Sequence, residues 1–254
     1  MLEGCTTLPN GRAWGQDATL SPGWQRVREV AVDAARSPRV WAPLAGAALL
    51  QIDGWDRQVS DWARDKTPVF GSQQQASDWS DRLLLATEVS YLATVLATPS
   101  GDSSGDWIRA KSKGFGVELA AMAATSITTE VLKVAVGRER PNGENNESFP
   151  SGHASHSAVV TQLAERNLRS VELPEGTRLA LDIGLDALTA GTAWARVEAG
   201  AHFPSDTLFS IGLGNYMGML FNDAFMGLDH SSHISVSLTP LSGRGAELHW
   251  QVSF

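Results

Sequence analysis

The sequence lacks features that several protein classes require. It has one cysteine in 254 residues, which excludes a disulfide within the chain, so packing must hold the fold. Its formal net charge of -8 is opposite in sign to the basic surface of a nucleic-acid-binding protein. Hydrophobic residues make up 43% and charged residues 19%, a globular composition. We therefore expect a packed domain without a nucleic-acid partner.

Long apolar runs are also scarce. The longest candidates, 83–98 and 207–221, both fall short of the roughly 18 uninterrupted apolar residues that a membrane span needs. Glu88 interrupts the first of them. We predict that both segments are buried helices of a soluble bundle.

The N-terminal segment 1–21 is rich in Gly, Pro, Thr and Asn without periodicity, which is typical of a flexible arm. The stretch "LEGC" resembles the end of a bacterial lipoprotein signal, in which the cysteine carries the lipid. Cys5 is therefore a candidate lipidation site that would tether the protein to a membrane of the bacterial periplasm or cell envelope. In the alternative interpretation, Cys5 is a free thiol in a loose tail.

Helical periodicity dominates the predicted domain, residues 22–230. Its helical runs are expected near 24–36, 40–52, 55–65, 76–98, 105–137, 153–169, 177–198 and 204–226. In the last segment, 231–254, apolar residues alternate with polar ones on both sides of "SGRG", which predicts a β-hairpin packed on the domain. The fold class is therefore all-α, a helical bundle with a small C-terminal β-hairpin.

The stretch "KVAVGRERP" (133–141) offers two cations to one ligand. Lys133 and Arg140 are seven residues apart, so they return to nearly the same helix face. Pro141 disfavours helix at Arg140, which places Arg140 at the helix end, free to turn inward. Arg138 points elsewhere and is interpreted as a solvated charge.

The stretch "FPSGHASHS" (149–157) opens a helix with the residues of an anion-binding turn. The first amides of a helix are unpaired donors. Gly152 lets the backbone approach an anion closely, and Ser151 adds a hydroxyl donor. His153 is placed to give a proton to a leaving oxygen, whereas His156, one turn later, is interpreted as a surface or packing residue.

The stretch "ARVEAGAHFPSD" (195–206) adds a second histidine. Pro204 suits the first position of a helix, so His202 precedes that helix and Asp206 lies in its first turn. We expect Asp206 to hold one ring nitrogen of His202 as N–H, leaving the other nitrogen nucleophilic. Arg196 supplies a third cation. Three cations, a helix N-terminus and two histidines together describe a phosphoryl-transfer site.

The order and spacing of these motifs resemble the type 2 phosphatidic acid phosphatase superfamily, which includes lipid phosphatases, bacterial class A acid phosphatases and vanadium haloperoxidases. The residues that match its signature are Lys133, Arg140, Pro141, Pro150, Ser151, Gly152, His153, Arg196, His202 and Asp206. One departure is Ala195, which stands where the family usually has Ser before the arginine and so lacks a hydroxyl donor.

The resemblance implies a helical bundle and a metal-independent phosphatase without a cofactor. It implies a phosphohistidine on His202, a proton from His153 to the leaving group, and lipid-linked phosphate or pyrophosphate esters as substrates, with vanadate as an inhibitor. Two alternatives remain open: a haloperoxidase that uses vanadate as its cofactor, and a non-specific soluble acid phosphatase. The tempting metal spacings "DGWD" (53–56) and "HSSH" (230–233) are interpreted as turn and loop residues. The oligomeric state is left open.

Overall fold

Eight α-helices form the body of this protein. The computed structural model describes residues 7–8 and 10–228 in full and residues 234–240 and 246–252 by their backbone. The helices are α1 (Trp24–Arg36), α2 (Pro38–Leu49), α3 (Trp55–Lys66), α4 (Gln73–Ala97), α5 (Ser104–Val136), α6 (Gly152–Arg169), α7 (Glu175–Glu198) and α8 (Pro204–Phe225), with a 3-10 turn over Ile52–Gly54. The predicted helical bundle is confirmed.

Local sequence explains where the long helices begin and end. Ser72, Ser103 and Ser151 precede α4, α5 and α6, and each side chain accepts a hydrogen bond from the backbone amide three residues later. Such a cap contributes roughly 1 kcal/mol to helix stability. Gly137 ends α5 at φ 58°, a left-handed conformation that favours glycine. These helix ends set the positions of the motif residues, because Lys133 lies in the last turn of α5 and Ser151 caps α6.

Helix α6 is the centre of the bundle, and fourteen of its eighteen residues are buried. It is surrounded by α4, α5, α7 and α8. Hydroxyl groups at its surface find partners on neighbouring helices: Ser157 and Thr161 contact Thr189 of α7 at 3.1 and 2.9 Å, and Ser155 contacts Thr129 of α5 at 3.0 Å. Paired hydroxyls let a fairly polar helix lie in the core without leaving these groups unsatisfied.

Small residues bring α8 close to α6. A Cβ atom at Gly214 would lie 2.4 Å from the carbonyl oxygen of Ser155 and 2.7 Å from the Cβ of Ala158. One turn later, a Cβ at Gly218 would lie 2.9 Å from Gln162 Cγ. The backbones therefore approach to a distance that admits only glycine at these positions, and this approach seats the N-terminus of α8 beside that of α6.

Part of the N-terminal segment packs on the bundle, so the prediction of a flexible arm over 1–21 is wrong for this part. Trp14 is fully buried, and its ring covers Gly114 of α5, where a Cβ would lie 2.5 Å away. The Trp14 amide donates to the carbonyl of Pro99 at 2.7 Å. A single tryptophan thus converts a polar segment into part of the core. Cys5 lies outside the described residues.

Helices α4 and α5 expose much of their apolar surface. The segment 207–221 in α8 is largely buried, as predicted, but the segment 83–98 in α4 exposes Leu85, Val89, Leu92 and Leu96, so its prediction is wrong in part. Helix α5 is long and apolar enough to cross a membrane, with a mean hydropathy of 1.4 over its best 18-residue window, of which only 17% is buried. Its apolar residues are interrupted by Gly, Ser and Thr and by Glu118 and Glu130, which shortens every apolar run while the mean hydropathy of the window stays high.

The C-terminal backbone is assigned to two antiparallel strands, β1 (Ile234–Pro240) and β2 (Ala246–Val252). Their register pairs Val236 with Trp250 and Leu238 with Leu248, which are the apolar positions of the alternating pattern. The packing of this hairpin on the helical body stays a prediction. The "HSSH" segment between α8 and β1 lies outside the described residues.

The contact between α6 and α8 predicts opposite effects for two glycine substitutions. Gly214→Ala should lower the free energy of unfolding by roughly 1–3 kcal/mol, because the new methyl group overlaps backbone atoms of α6. Gly184→Ala on α7 has no atom within 4 Å of the new Cβ and should stabilise the protein by about 0.5–1 kcal/mol. Thermal unfolding of both variants measures the difference, and equal effects would contradict the described close approach.

Candidate active site

The motif residues of the sequence converge at one end of the bundle. Lys133 near the end of α5 lies beside the start of α6, since its Nζ is 3.6 Å from where a Cβ of Gly152 would be. Arg196 lies in the last turn of α7, and His202 lies just before α8. The charges of Arg196, Arg140 and Lys133 all act on His202, which requires that the four side chains share one site.

The N-terminus of α6 forms one wall of this site. The Ser151 hydroxyl accepts from the Ala154 amide at 3.4 Å, and the Ser151 amide donates to Ser210 Oγ of α8 at 2.7 Å. Within the described part of the chain, no acceptor is found for the amides of Gly152 and His153. Those two amides and the hydroxyl hydrogen of Ser151 are the donors that remain for an anion.

Exposed carboxylates accompany two of the cations. Lys133 Nζ lies 2.7 Å from a Glu130 carboxylate oxygen, and Arg140 lies 3.5 Å from Glu144 and 3.8 Å from Glu147. Each of these glutamates is more than half exposed, so each pair is worth little in water. An incoming phosphate therefore competes with weak, solvated partners for both cations.

The two site arginines retain unused donors. Among the described residues, the Nε atoms of Arg140 and Arg196 are buried without a hydrogen-bond partner. Arg196 donates through Nη1 to Ser80 Oγ of α4 at 3.3 Å. Ala195, which lacks the hydroxyl usual in the resembling family, is fully buried beside it. Ser80 thus places a hydroxyl on Arg196 from a different helix.

His202 is held in one tautomer by a backbone carbonyl. Its ring is 2% exposed, and Nδ1 lies 2.5 Å from the Ser148 carbonyl oxygen. Because a carbonyl only accepts, Nδ1 carries the proton and Nε2 keeps its lone pair. Burial and the charges of Arg196, Arg140 and Lys133 lower the pKa of His202 well below its ordinary 6.5, against a smaller opposing effect of the Ser148 bond. The ring is therefore neutral, and its Nε2 is unprotonated.

Asp206 supports His202 through an intermediate residue. The predicted direct hydrogen bond is replaced by a bond through Ser148, whose Oγ donates to Asp206 at 2.6 Å. The Asp206 carboxylate also accepts from the Phe203 amide at 2.9 Å and so caps α8. Asp206 therefore caps its own helix, and Ser148 lies between its carboxylate and the His202 imidazole.

Arg138 lies at the back of the site, and its interpretation as a solvated charge is wrong. Its guanidinium donates to Asp206 at 2.5 Å and to Asp56 at 2.8 Å. Asp56 belongs to the "DGWD" stretch interpreted as turn residues, yet its side chain is only 5% exposed. Helical spacing alone placed Arg138 away from Lys133, but the chain leaves the helix at Gly137, so that spacing no longer applies.

His153 lies at the open side of the site. Its Nε2 is 2.8 Å from an Asp81 carboxylate oxygen on α4, and it is about one third exposed. Burial and the charge of Arg196 lower the pKa of His153, while Asp81 opposes that shift. His156, one turn later, contacts Glu88 at 3.2 Å, in keeping with its expected place on the helix surface.

The loop between Arg140 and Ser148 is held by its own asparagines. Asn142 Oδ1 accepts from the Glu144 amide at 3.1 Å, and Asn145 Oδ1 accepts from the Glu147 amide at 3.0 Å. The Asn142 amide donates to the Gly200 carbonyl at 3.0 Å, which ties the loop to the segment before His202. These bonds set the loop that carries Glu144 and Glu147 over the site.

Comparisons with known proteins agree with this geometry. The model of the PAP2 superfamily matches residues 117–226, which span α5 to α8 and include every catalytic and phosphate-binding residue predicted above. This segment resembles the PAP2 superfamily and makes up less than half of the chain. No curated protein matches the sequence.

A solved structure shows the same fold. The crystal structure of the first transmembrane PAP2 type phosphatidylglycerolphosphate phosphatase from Bacillus subtilis aligns with a TM-score of 0.54 at 20% sequence identity. The alignment covers 72% of this chain and 92% of that chain. The helical PAP2 bundle predicted from the motifs is therefore confirmed as the fold.

The acidic and histidine side chains described at the site do not form a metal-binding cluster. In the part of the chain that the structure describes, no group of three or more His, Cys, Asp or Glu side chains is arranged to hold a metal ion. The expectation that the reaction needs neither metal nor cofactor stays a prediction, as do the individual roles of the site residues.

The buried neutral state of His202 predicts a pH-dependent stability. His202→Asn keeps an N–H in the position of Nδ1 but cannot take up a proton. In wild type, the unfolded chain protonates His202 near its ordinary pKa of 6.5 while the folded chain does not, since the folded pKa is lower. The wild-type melting temperature minus that of the variant should therefore fall as the pH drops through that window. A difference that rises instead would contradict the lowered pKa.

Proposed function

We propose that this PAP2 domain is a metal-independent phosphatase that works through a phosphohistidine on His202. The observation that carries the proposal is the bond between His202 Nδ1 and the Ser148 carbonyl, which leaves Nε2 unprotonated among three cations. A neutral imidazole with its lone pair directed at a bound phosphate is a competent nucleophile at neutral pH.

Substrate binding uses the positive end of the bundle. The phosphate oxygens lie among Lys133, Arg140 and Arg196 and accept from the free amides at the start of α6. The substrate brings negative charge that offsets the mutual repulsion of these cations. Binding therefore offsets the positive charges of Arg196, Arg140 and Lys133, which disfavour a cationic His202 ring.

The first chemical step exchanges one phosphorus bond for another. His202 Nε2 donates its electron pair to phosphorus while the bond to the leaving oxygen breaks in line. The imidazole becomes cationic, and its Nδ1–H stays bonded to the Ser148 carbonyl. The leaving oxygen takes the proton of His153. Burial and the charge of Arg196 lower the pKa of His153, and the Asp81 carboxylate opposes that shift, so the proton is readily given up.

The second step restores the enzyme. Neutral His153 accepts a proton from water, and the water oxygen attacks the phosphohistidine. The bond between phosphorus and Nε2 breaks, the electron pair returns to the ring, and inorganic phosphate leaves. The balance is one ester bond hydrolysed by one water, with both histidines returned to their starting states.

We infer that the substrate phosphate is carried by a lipid. The apolar face of the protein, defined here as the exposed aliphatic side chains of α4 and α5, consists of Leu85, Val89, Leu92, Leu96, Ile108, Leu119, Ile127, Val131, Val134 and Val136. Exposed apolar surface of this extent is typical of contact with a membrane or a partner. Tyr91 of α4 donates to Glu118 of α5 at 2.7 Å, so the two helices contact each other. Val134 and Val136 lie with Lys133 in the last turns of α5, so the face extends to the helix end that carries this cation. The solved neighbour is titled a transmembrane phosphatidylglycerolphosphate phosphatase, which favours a lipid here too.

A vanadate-dependent haloperoxidase is the alternative that uses the same residues. The three cations and His202 suit a bound vanadate as well as a phosphate. Phosphate release and bromide oxidation, measured on the same preparation with and without vanadate, separate the two activities. We expect phosphate release, with vanadate as an inhibitor.

The assigned roles predict different losses for the two histidines. His202→Ala should abolish turnover of every substrate because no covalent intermediate forms. His153→Ala should lose about a hundred- to ten-thousandfold in kcat with an alkyl phosphate, which needs a proton on its leaving oxygen. An activated aryl phosphate should be largely spared in its first step. Phosphate release and a pre-steady-state burst of the aryl alcohol measure the contrast.

His156→Ala is the matched control, since this histidine lies one turn from His153 and its one ion pair among the described residues is with Glu88, outside the proposed machinery. It should keep wild-type activity. A chelator added to the same assays should change nothing; loss of activity that a divalent ion restores would refute metal independence. A fully active His202→Ala would end the proposed mechanism.

The apolar face predicts selective loss with lipid substrates. Leu92→Glu places a charge at its centre and should reduce membrane fractionation and hydrolysis of a phospholipid in vesicles. Hydrolysis of a soluble aryl phosphate should be unchanged, because Leu92 lies away from the phosphate site. Val32→Glu, at an exposed apolar position of α1, is the control and should alter neither.

Cys5 is tested in the same fractionation. We propose that its lipidation adds a second attachment, because membrane anchoring is stable when two signals act together. Cys5→Ser in the native full-length protein should weaken fractionation with membranes without changing the hydrolysis of soluble substrates. Unchanged fractionation would leave the apolar face as the attachment.

A further inference from the structure

A buried set of charged residues lies directly behind the site. We name it the Arg138 bridge, and its members are Asp56, Arg138, Ser205 and Asp206. The Arg138 guanidinium donates to Asp206 at 2.5 Å, to Asp56 at 2.8 Å and to Ser205 Oγ at 3.0 Å. Asp56 in turn accepts from the Ser205 amide at 2.8 Å and from Ser205 Oγ at 2.6 Å. One cation thus serves two carboxylates from different helices.

The bridge joins three parts of the chain that are distant in sequence. Asp56 lies in the first turn of α3, Ser205 and Asp206 lie in the first turn of α8, and Arg138 follows α5. The guanidinium also lies over the ring of Phe203, 4.0 Å from its centroid. Asp56 and Asp206 are 5% and 0% exposed, so removing the cation would leave two buried carboxylates without compensation.

Arg138 holds Ser148 from both ends. The Arg138 carbonyl accepts from the Ser148 amide at 2.9 Å, and the Arg138 side chain fixes Asp206, which accepts from Ser148 Oγ at 2.6 Å. The carbonyl of the same Ser148 sets the tautomer of His202. Arg138 therefore acts on Ser148 directly through its backbone and indirectly, through Asp206, by its side chain.

We propose that Arg138 and Asp56 are positioning residues for His202, acting through Asp206 and Ser148. The inference rests on the proposed function and deepens it. When phosphorus bonds to Nε2, the ring becomes cationic and its Nδ1–H must stay on the Ser148 carbonyl. A displacement of that carbonyl by about 1 Å is enough to cost on the order of a hundredfold in rate.

The bridge also opposes the protonation of Asp206. Burial raises the pKa of Asp206, whereas the bond from Ser148 and the charge of Arg138 lower it. The charged groups that face Asp206 are Arg138 from the segment after α5, Asp56 from α3 beyond that guanidinium, and His202 beyond Ser148. Without Arg138, the pKa of Asp206 should rise further, so Asp206 should protonate at a higher pH. A protonated Asp206 no longer accepts fully from Ser148 and Phe203.

The first test compares Arg138→Ala with Arg57→Ala at several pH values. Arg57 lines the same cavity as Arg138 but makes no hydrogen bond or ion pair described in the structure, which makes it a matched control. Arg138→Ala should lower kcat for an aryl phosphate about a hundredfold with little change in KM, since the phosphate-binding residues are intact. The acidic limb of its pH–kcat profile should move to higher pH. Arg57→Ala should match wild type in all three readouts.

The cavity beside the bridge allows chemical rescue. It has a volume of about 260 Å³ and is lined by Arg138, Asp56 and Arg57 among others. Guanidinium ion should enter the space vacated in Arg138→Ala and raise the kcat of this variant at least tenfold over its value without guanidinium. The concentrations used should be ones that leave the wild-type kcat unchanged. It should restore nothing to His202→Ala. Arg138→Lys keeps the positive charge but replaces the planar guanidinium with a compact ammonium group. Its kcat should therefore lie between those of Arg138→Ala and the wild type.

Asp56→Asn gives an independent check, because it keeps the size of the side chain and removes one charge from the bridge. It should lower kcat less than Arg138→Ala, and guanidinium should not rescue it. An Arg138→Ala enzyme with wild-type kcat, or one that loses activity equally at every pH without rescue, would overturn the positioning role. An active Arg138→Ala together with an inactive His202→Ala would refute only the positioning role of the Arg138 bridge. An active His202→Ala would refute the proposed function itself.

Discussion

The hydrogen bond between His202 Nδ1 and the carbonyl of Ser148 is the interaction on which the site depends. It decides which nitrogen of a buried ring keeps its lone pair, and it does so without placing a charge beside three cations. A carboxylate in direct contact would favour the protonated ring. With only a neutral carbonyl as its partner, the resting ring is kept unprotonated by burial and by the nearby cations. Asp206 acts one residue further away, where it accepts a hydrogen bond from Ser148.

The fold serves this arrangement by burying most of one helix, α6. With α6 at the centre, the start of α6 is a fixed point against which the ends of α5, α7 and α8 are positioned. Gly214 and Gly218 bring α8 against α6, and the Ser151 amide bonds Ser210 across that contact. The donors proposed for the phosphate thus come from the most constrained part of the molecule, while the apolar face of α4 and α5, proposed to meet lipid, is exposed.

The sequence predicted the helices and the motif residues well because both depend on local spacing. Lys133, Arg140, His153, Arg196 and His202 come together because each lies at a helix end marked by Gly, Ser or Pro. Arg138 and Asp56 were missed because their role depends on tertiary contacts. The chain leaves the helix at Gly137, just before Arg138, and Asp56 lies 149 residues from its partner Ser205 in sequence. The buried Trp14 and the exposed face of α4 were missed for a related reason, since composition does not show which neighbour covers a residue.

Direct detection of the covalent intermediate tests the central claim. The His153→Ala enzyme should be mixed with an activated aryl phosphate and quenched with denaturant at alkaline pH. The phosphorylated enzyme should accumulate, because its formation from this substrate needs no acid, whereas its hydrolysis needs His153 as base. Peptide mass spectrometry should find the phosphoryl group on His202, and its regiochemistry should be Nε2. Turnover without a phosphorylated peptide, or a phosphoryl group on any other residue, would contradict the account.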